Sequence, residues 1–95
     1  MQAMIQRFEA AGCSSDELVR AGRRLANVLD HVPGFISCVI VRAQGGNLAT
    51  VTLFEEQAGL GAAEGLTGTS LVEHLPGLTG PADVTTGEVV FQRGL

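Results

Sequence analysis

The chain has no lysine, tryptophan or tyrosine, and all six of its basic residues are arginine. Without lysine, no side-chain amine is available for Schiff-base chemistry. Four phenylalanines are the whole aromatic content, too few and too far from basic residues to form a base-stacking platform. Six basic residues against ten acidic ones leave a net charge of −4, and the pI is near 4.9. An acidic chain with no basic cluster excludes nucleic acid as a partner. There are only two cysteines, Cys13 and Cys38, in neither a metal-spaced pair nor a Cys-x-x-Cys motif. The two histidines, His31 and His74, stand apart from them and from each other, so neither a metal nor a cofactor is expected. No apolar run approaches the ~18 residues of a membrane span. The start, MQAMIQRFEA, has Gln, Arg and Glu where a signal peptide needs an apolar run. A reduced, cytoplasmic protein is the expectation, with no membrane partner.

What is present is organised around residues 33–55, PGFISCVIVRAQGGNLATVTLFE. Two runs rich in β-branched residues flank Gly45-Gly46, a pair suited to a two-residue hairpin turn. That turn sets Ile40 opposite Val51 and Cys38 opposite Leu53. On the other face Val41 meets Thr50, Val39 meets Thr52 and Ser37 meets Phe54. One face, with Ile36, Cys38, Ile40, Ala49, Val51 and Leu53, is wholly apolar and is expected beneath helices. The other carries Phe35, Ser37, Val39, Val41, Thr50, Thr52 and Phe54. It is too hydrophobic to face water and is expected to be a homodimer face. Burying Phe35, Val39, Val41 and Phe54 there would contribute roughly 1.5–3 kcal/mol each before association costs.

Ninety-five residues make one domain, 1–95. Residues 1–8 alternate as a first strand, with Met4 and Phe8 on one side and Ala3 and Ile5 on the other. Ser14 followed by Glu17 forms a capping box. Leu18, Gly22, Leu25, Leu29 and Val32 then make a helical stripe that Pro33-Gly34 ends. A second helix follows the hairpin through Leu60, Ala63, Leu66, Ser70, Leu71 and His74 or Leu75. Its glycines predict irregularity between Gly65 and Ser70, at about 1 kcal/mol each against Ala. Residues 76–86 read as loop and 88–92 as a short last strand. The order β-α-β-β-α-β is ferredoxin-like, an α+β fold with two helices on one face of a four-stranded antiparallel sheet.

Motifs for catalysis are missing: there is no GxSxG, HExxH or P-loop. Gly59-x-Gly61 is not a dinucleotide fingerprint, because Glu64 stands where the third glycine belongs. His31 lies in the last turn of the first helix, where a cation is mildly favoured. His74, near the end of the second, is the best single candidate for a catalytic or ligand-binding side chain. Cys38 reads as a small buried hydrophobe.

His31-Val32-Pro33-Gly34-Phe35, the strand ISCVIVR, the Gly-containing turn and TVTLFE before an acidic helix start resemble the dimeric α/β-barrel superfamily. Within it they resemble the antibiotic biosynthesis monooxygenase-like proteins. The matching order of elements runs over nearly the whole chain, and the specific likeness over about residues 25–56. The resemblance implies paired ferredoxin-like sheets and a homodimer. It also implies small-molecule chemistry, since some members are cofactor-independent oxygenases of aromatic polyketides and others degrade haem. Haem-degrading members use Asn, Trp and His. Here His74 alone corresponds, with no Trp and no Asn on the first strand. The resulting expectation is a dimeric module that binds a small ligand or serves assembly. The alternative is a cofactor-independent monooxygenase-like enzyme acting on a small aromatic substrate.

Overall fold

The computed structural model describes residues 1–10 and 12–95. Its elements are β1 (Gln2–Glu9), α1 (Ser15–Leu29), β2 (Phe35–Arg42), β3 (Leu48–Phe54), α2 (Gln57–His74) and β4 (Thr79–Glu88). The strands form one antiparallel sheet in the order β2-β3-β1-β4. This is the expected ferredoxin-like arrangement. The helices pack on each other and on the sheet around Met4, Phe8, Leu25, Leu48, Phe54 and Leu71.

Local signals account for β1 and α1. Met4 and Phe8 are buried together on one side of β1, as the alternation predicts. Ser14 caps α1 with both halves of the capping box formed. The Ser14 hydroxyl accepts from the Glu17 N–H at 3.1 Å, and the Glu17 carboxylate accepts from the Ser14 N–H at 3.0 Å.

The hairpin departs from expectation in its register. Its loop has three residues, Gln44-Gly45-Gly46, closed by Ala43 N–H to Asn47 O at 2.8 Å and Gly46 N–H to Ala43 O at 2.9 Å. Only Gly46 takes a positive φ, +90°, which is the three-residue loop with a left-handed last residue rather than a two-residue turn. One extra loop residue slides the pairing by one. Ile40 faces Thr50, Cys38 faces Thr52 and Val39 faces Val51. A one-residue slip exchanges the faces of one strand relative to the other. Thr50, Thr52 and Phe54 are therefore fully buried under the helices, beside the partly buried Cys38 and Ile40. Ala49, Val51 and Leu53 share the open face with Ser37, Val39 and Val41. A bulge at Ile36 then restores Phe35 opposite Phe54. Their rings meet edge to face at 5.7 Å on the helix side.

The second half corrects two further expectations. α2 is continuous from Gln57 to His74, with no break at 65–70. Gly59 is required by the ring of Phe54, whose Cγ would lie 3.0 Å from a Cβ there; Gly61 and Gly65 face open space. Packing of Leu60, Ala63, Thr67, Gly68 and Leu71 overrides the low propensity. Leu66, assigned to the stripe, is 40% exposed. The last strand is Thr79–Glu88, not 88–92. It is an edge strand, which accommodates Gly80 and Pro81 where a central strand would not.

Candidate functional site

His74 is the final residue of α2 and is half-buried. Its Nδ1 lies 2.7 Å from the carbonyl oxygen of Ser70, one turn back. A carbonyl only accepts, so Nδ1–H donates and the neutral ring keeps its lone pair on Nε2, the nitrogen not engaged with the helix. Beside the ring is a cleft of about 240 Å³ lined by Glu17, Arg20, Ala21, Arg24, His74 and Pro76. The four α1 residues fall at three- and four-residue steps and so share one flank of that helix. Glu17 is already committed to the cap. The bond it accepts from the Ser14 backbone, then the one from the Ser14 side chain, holds its carboxyl below the usual carboxylate range. Arg20, whose charge also acts on the Glu17 carboxylate, and Arg24 are the cations of the cleft lining that His74 shares.

Between the helices and the sheet the interior is unexpectedly polar. Gln6 and Thr50, paired across β1 and β3, are fully buried, as is Thr67; Ser70 is nearly so. Gln6 Nε2 donates to the Glu64 carbonyl at 3.3 Å. Among the described residues, Gln6 Oε1, Thr50 Oγ1, Thr67 Oγ1 and Ser70 Oγ have no hydrogen-bond partner. Each buried unpaired group costs about 1–3 kcal/mol. Sequence reasoning missed this set because the register error placed Thr50 outside. The available signals were Gln6 between Met4 and Phe8, and the Thr67-x-x-Ser70 spacing.

The remaining candidates separate. His31 is exposed and lines none of the cleft; its Nδ1 donates to the Asn27 carbonyl at 2.8 Å, a capping partner for its own helix. Cys38 packs partly buried against the core; burial pushes its thiol up, opposed in part by the Thr52 hydroxyl, 3.9 Å from Sγ. Of the seven residues assigned to a dimer face, Ser37, Val39 and Val41 stand on the open side of the sheet. Thr50, Thr52 and Phe54 line the core, and Phe35 packs against it. The described residues contain no group of three or more His, Cys, Asp or Glu able to hold a metal ion. No helix is long and apolar enough to cross a membrane.

No protein-family model matches the chain, and no curated protein matches it in sequence. Solved structures do match. The haem-degrader MhuD from Mycobacterium tuberculosis, with two haems bound in its active site, is 25% identical; the match covers 99% of this chain and 100% of that one, at a TM-score of 0.69. SnoaB, a cofactor-independent oxygenase from Streptomyces nogalater, is 18% identical over 99% of this chain and 95% of its own, at 0.62. Rv0793 from M. tuberculosis is 18% identical, with 98% of each chain covered and a TM-score of 0.68. The fold is that of the antibiotic biosynthesis monooxygenase-like proteins. That fold sets the end of the second helix beside the first, which is why His74 and the Arg20–Arg24 flank meet although fifty residues separate them in sequence.

Proposed function

We propose that this chain is a homodimeric small-molecule-binding protein whose ligand is an organic anion seated at His74. The observation that carries this reading is the His74–Ser70 hydrogen bond beside a cleft faced by Arg20 and Arg24. It fixes the ring and leaves Nε2 to meet a ligand donor, while two guanidiniums offer paired donors to a carboxylate. Equilibrium dialysis with hydroxylated aromatic carboxylates tests it. His74→Ala and Arg24→Ala should each weaken binding at least tenfold. Undiminished affinity in both variants would place the ligand elsewhere.

Dimerisation through the open sheet face is part of the proposal. Val39 and Val41 are 52% and 48% exposed, and Ile5, Val51 and Leu53 lie half-buried on the same side. A two-fold axis makes such a patch self-complementary. Sedimentation equilibrium should give a dimer at tens of micromolar, and Val39→Asp should give a monomer. A wild-type monomer removes this part of the reading.

The likeness in fold to SnoaB supports a second reading, turnover of a hydroxylated aromatic substrate in the manner of a cofactor-independent oxygenase. His74 Nε2, beside the cleft, would accept a phenolic proton. Dioxygen consumption with polyphenols, abolished in His74→Ala, is the readout. Haem, the ligand of MhuD, does not fit as well. One imidazole stands in a cleft of about 240 Å³, room for a single-ring acid but not for a tetrapyrrole. No Soret band is expected on haem titration.

A further inference from the structure

The opposite flank of α1 holds a second and separate concavity. It lies between the helix and edge strand β2, encloses about 370 Å³, and has Leu18, Gly22, Ala26, Cys38 and Ile40 among its walls. Its helical wall spans residues 18–26, about 12 Å at 1.5 Å per residue, so it is a furrow rather than a pit. The furrow exists because of Gly22. A glycine inside a helix costs about 1 kcal/mol against alanine, and here a side chain would occupy the floor, its Cβ 3.4 Å from Ile40 Cδ1.

The rims carry charge of one sign. Arg23 stands on the helical rim and Arg42 on the strand rim, in a chain whose net charge is −4. Arg42 is fixed there: Nη1 donates to the Cys13 carbonyl at 3.2 Å and Nη2 to the Ser15 hydroxyl at 3.0 Å. Two of its five donors are so used, leaving others for a ligand. We propose that this furrow binds a linear amphipathic carboxylate of the fatty-acid class. The chain lies along Gly22, Cys38 and Ile40, and the carboxylate meets Arg23 and Arg42. The elongated apolar floor excludes a small inorganic anion as the full occupant, and the two guanidiniums select an acid over an alcohol of equal length.

The proposal is independent of the His74 cleft, and the experiment keeps the two apart. Isothermal titration with dodecanoate, below the concentration at which it aggregates, should saturate at one molecule per chain. Dodecanol should bind at least tenfold more weakly. Arg23→Glu, a surface change, should weaken dodecanoate at least tenfold, and Gly22→Leu should do the same by filling the floor. His74→Ala should leave the affinity within twofold. Absence of saturable binding, equal affinity for dodecanol, equal affinity in Arg23→Glu, or loss of binding in His74→Ala would each overturn the assignment.

Discussion

The two helices are built by opposite means. α1 declares itself locally: a complete capping box, acidic residues in its first turn, and an apolar stripe backed by arginines. α2 has no side-chain cap, no acidic residue in its first turn, and glycines at four positions within it. Its order comes from what it touches. The contrast teaches that two of the unpaired interior hydroxyls and His74 belong to the helix with less intrinsic support. Thr67, Ser70 and His74 are all on α2, where packing against the sheet fixes their positions.

The largest test of this contrast removes a leucine from each helix. Leu25 and Leu71 are both fully buried, so Leu25→Ala and Leu71→Ala should each cost about 2–5 kcal/mol in urea unfolding. A near-zero loss for Leu25→Ala alone would mean that α1 stands on local signals without its core contact. Next comes Gly59→Ala. The new methyl runs into the Phe54 ring, and overpacking at about 1–3 kcal/mol exceeds the propensity gain of about 1 kcal/mol. The melting temperature should therefore fall. The same change at Gly61 or Gly65, where a Cβ meets nothing, should raise stability by up to about 1 kcal/mol. A fall at those two positions would show that α2 needs its glycines for more than clearance.

Smallest is the cap on α1. Ser14→Ala should cost about 1 kcal/mol. Glu17→Gln should show a pH signature. The Glu17 carboxyl is depressed in the folded state, so its contribution is present above the unfolded carboxylate pKa. It fades as pH falls through the folded value. The stability difference between wild type and Glu17→Gln should accordingly shrink in acid, which urea midpoints from pH 7 down to pH 3 would reveal.

The order of elements and the first helix were legible because their signals are local: the capping box, the stripe from Leu18 to Leu29, and β-branched runs around a glycine turn. The place of His74 at the end of the second helix was also legible. Its arginine neighbours were not, since nothing in sequence says which flank of α1 meets the end of α2. The register failed on a single residue of loop length. Gly45-Gly46 admits either a two- or a three-residue turn, and hydrophobicity favoured the wrong one, because Val51 and Leu53 are more apolar than Thr50 and Thr52. β4 was misplaced for a related reason: an exposed edge needs little hydrophobicity, and Thr79–Glu88 has little.

The three-residue loop at 44–46 has a consequence for how this protein can change over generations. Surface loops ordinarily absorb insertions and deletions at little cost. This one does not have that freedom. Losing one residue between Ala43 and Asn47 would turn β2 over relative to β3, exchanging what lies beneath the helices with what is offered on the open side. A single codon lost at an exposed tip would thus act as a change of interior, and descendants of this chain should vary in the identity of Gln44 far more readily than in the count of residues around it.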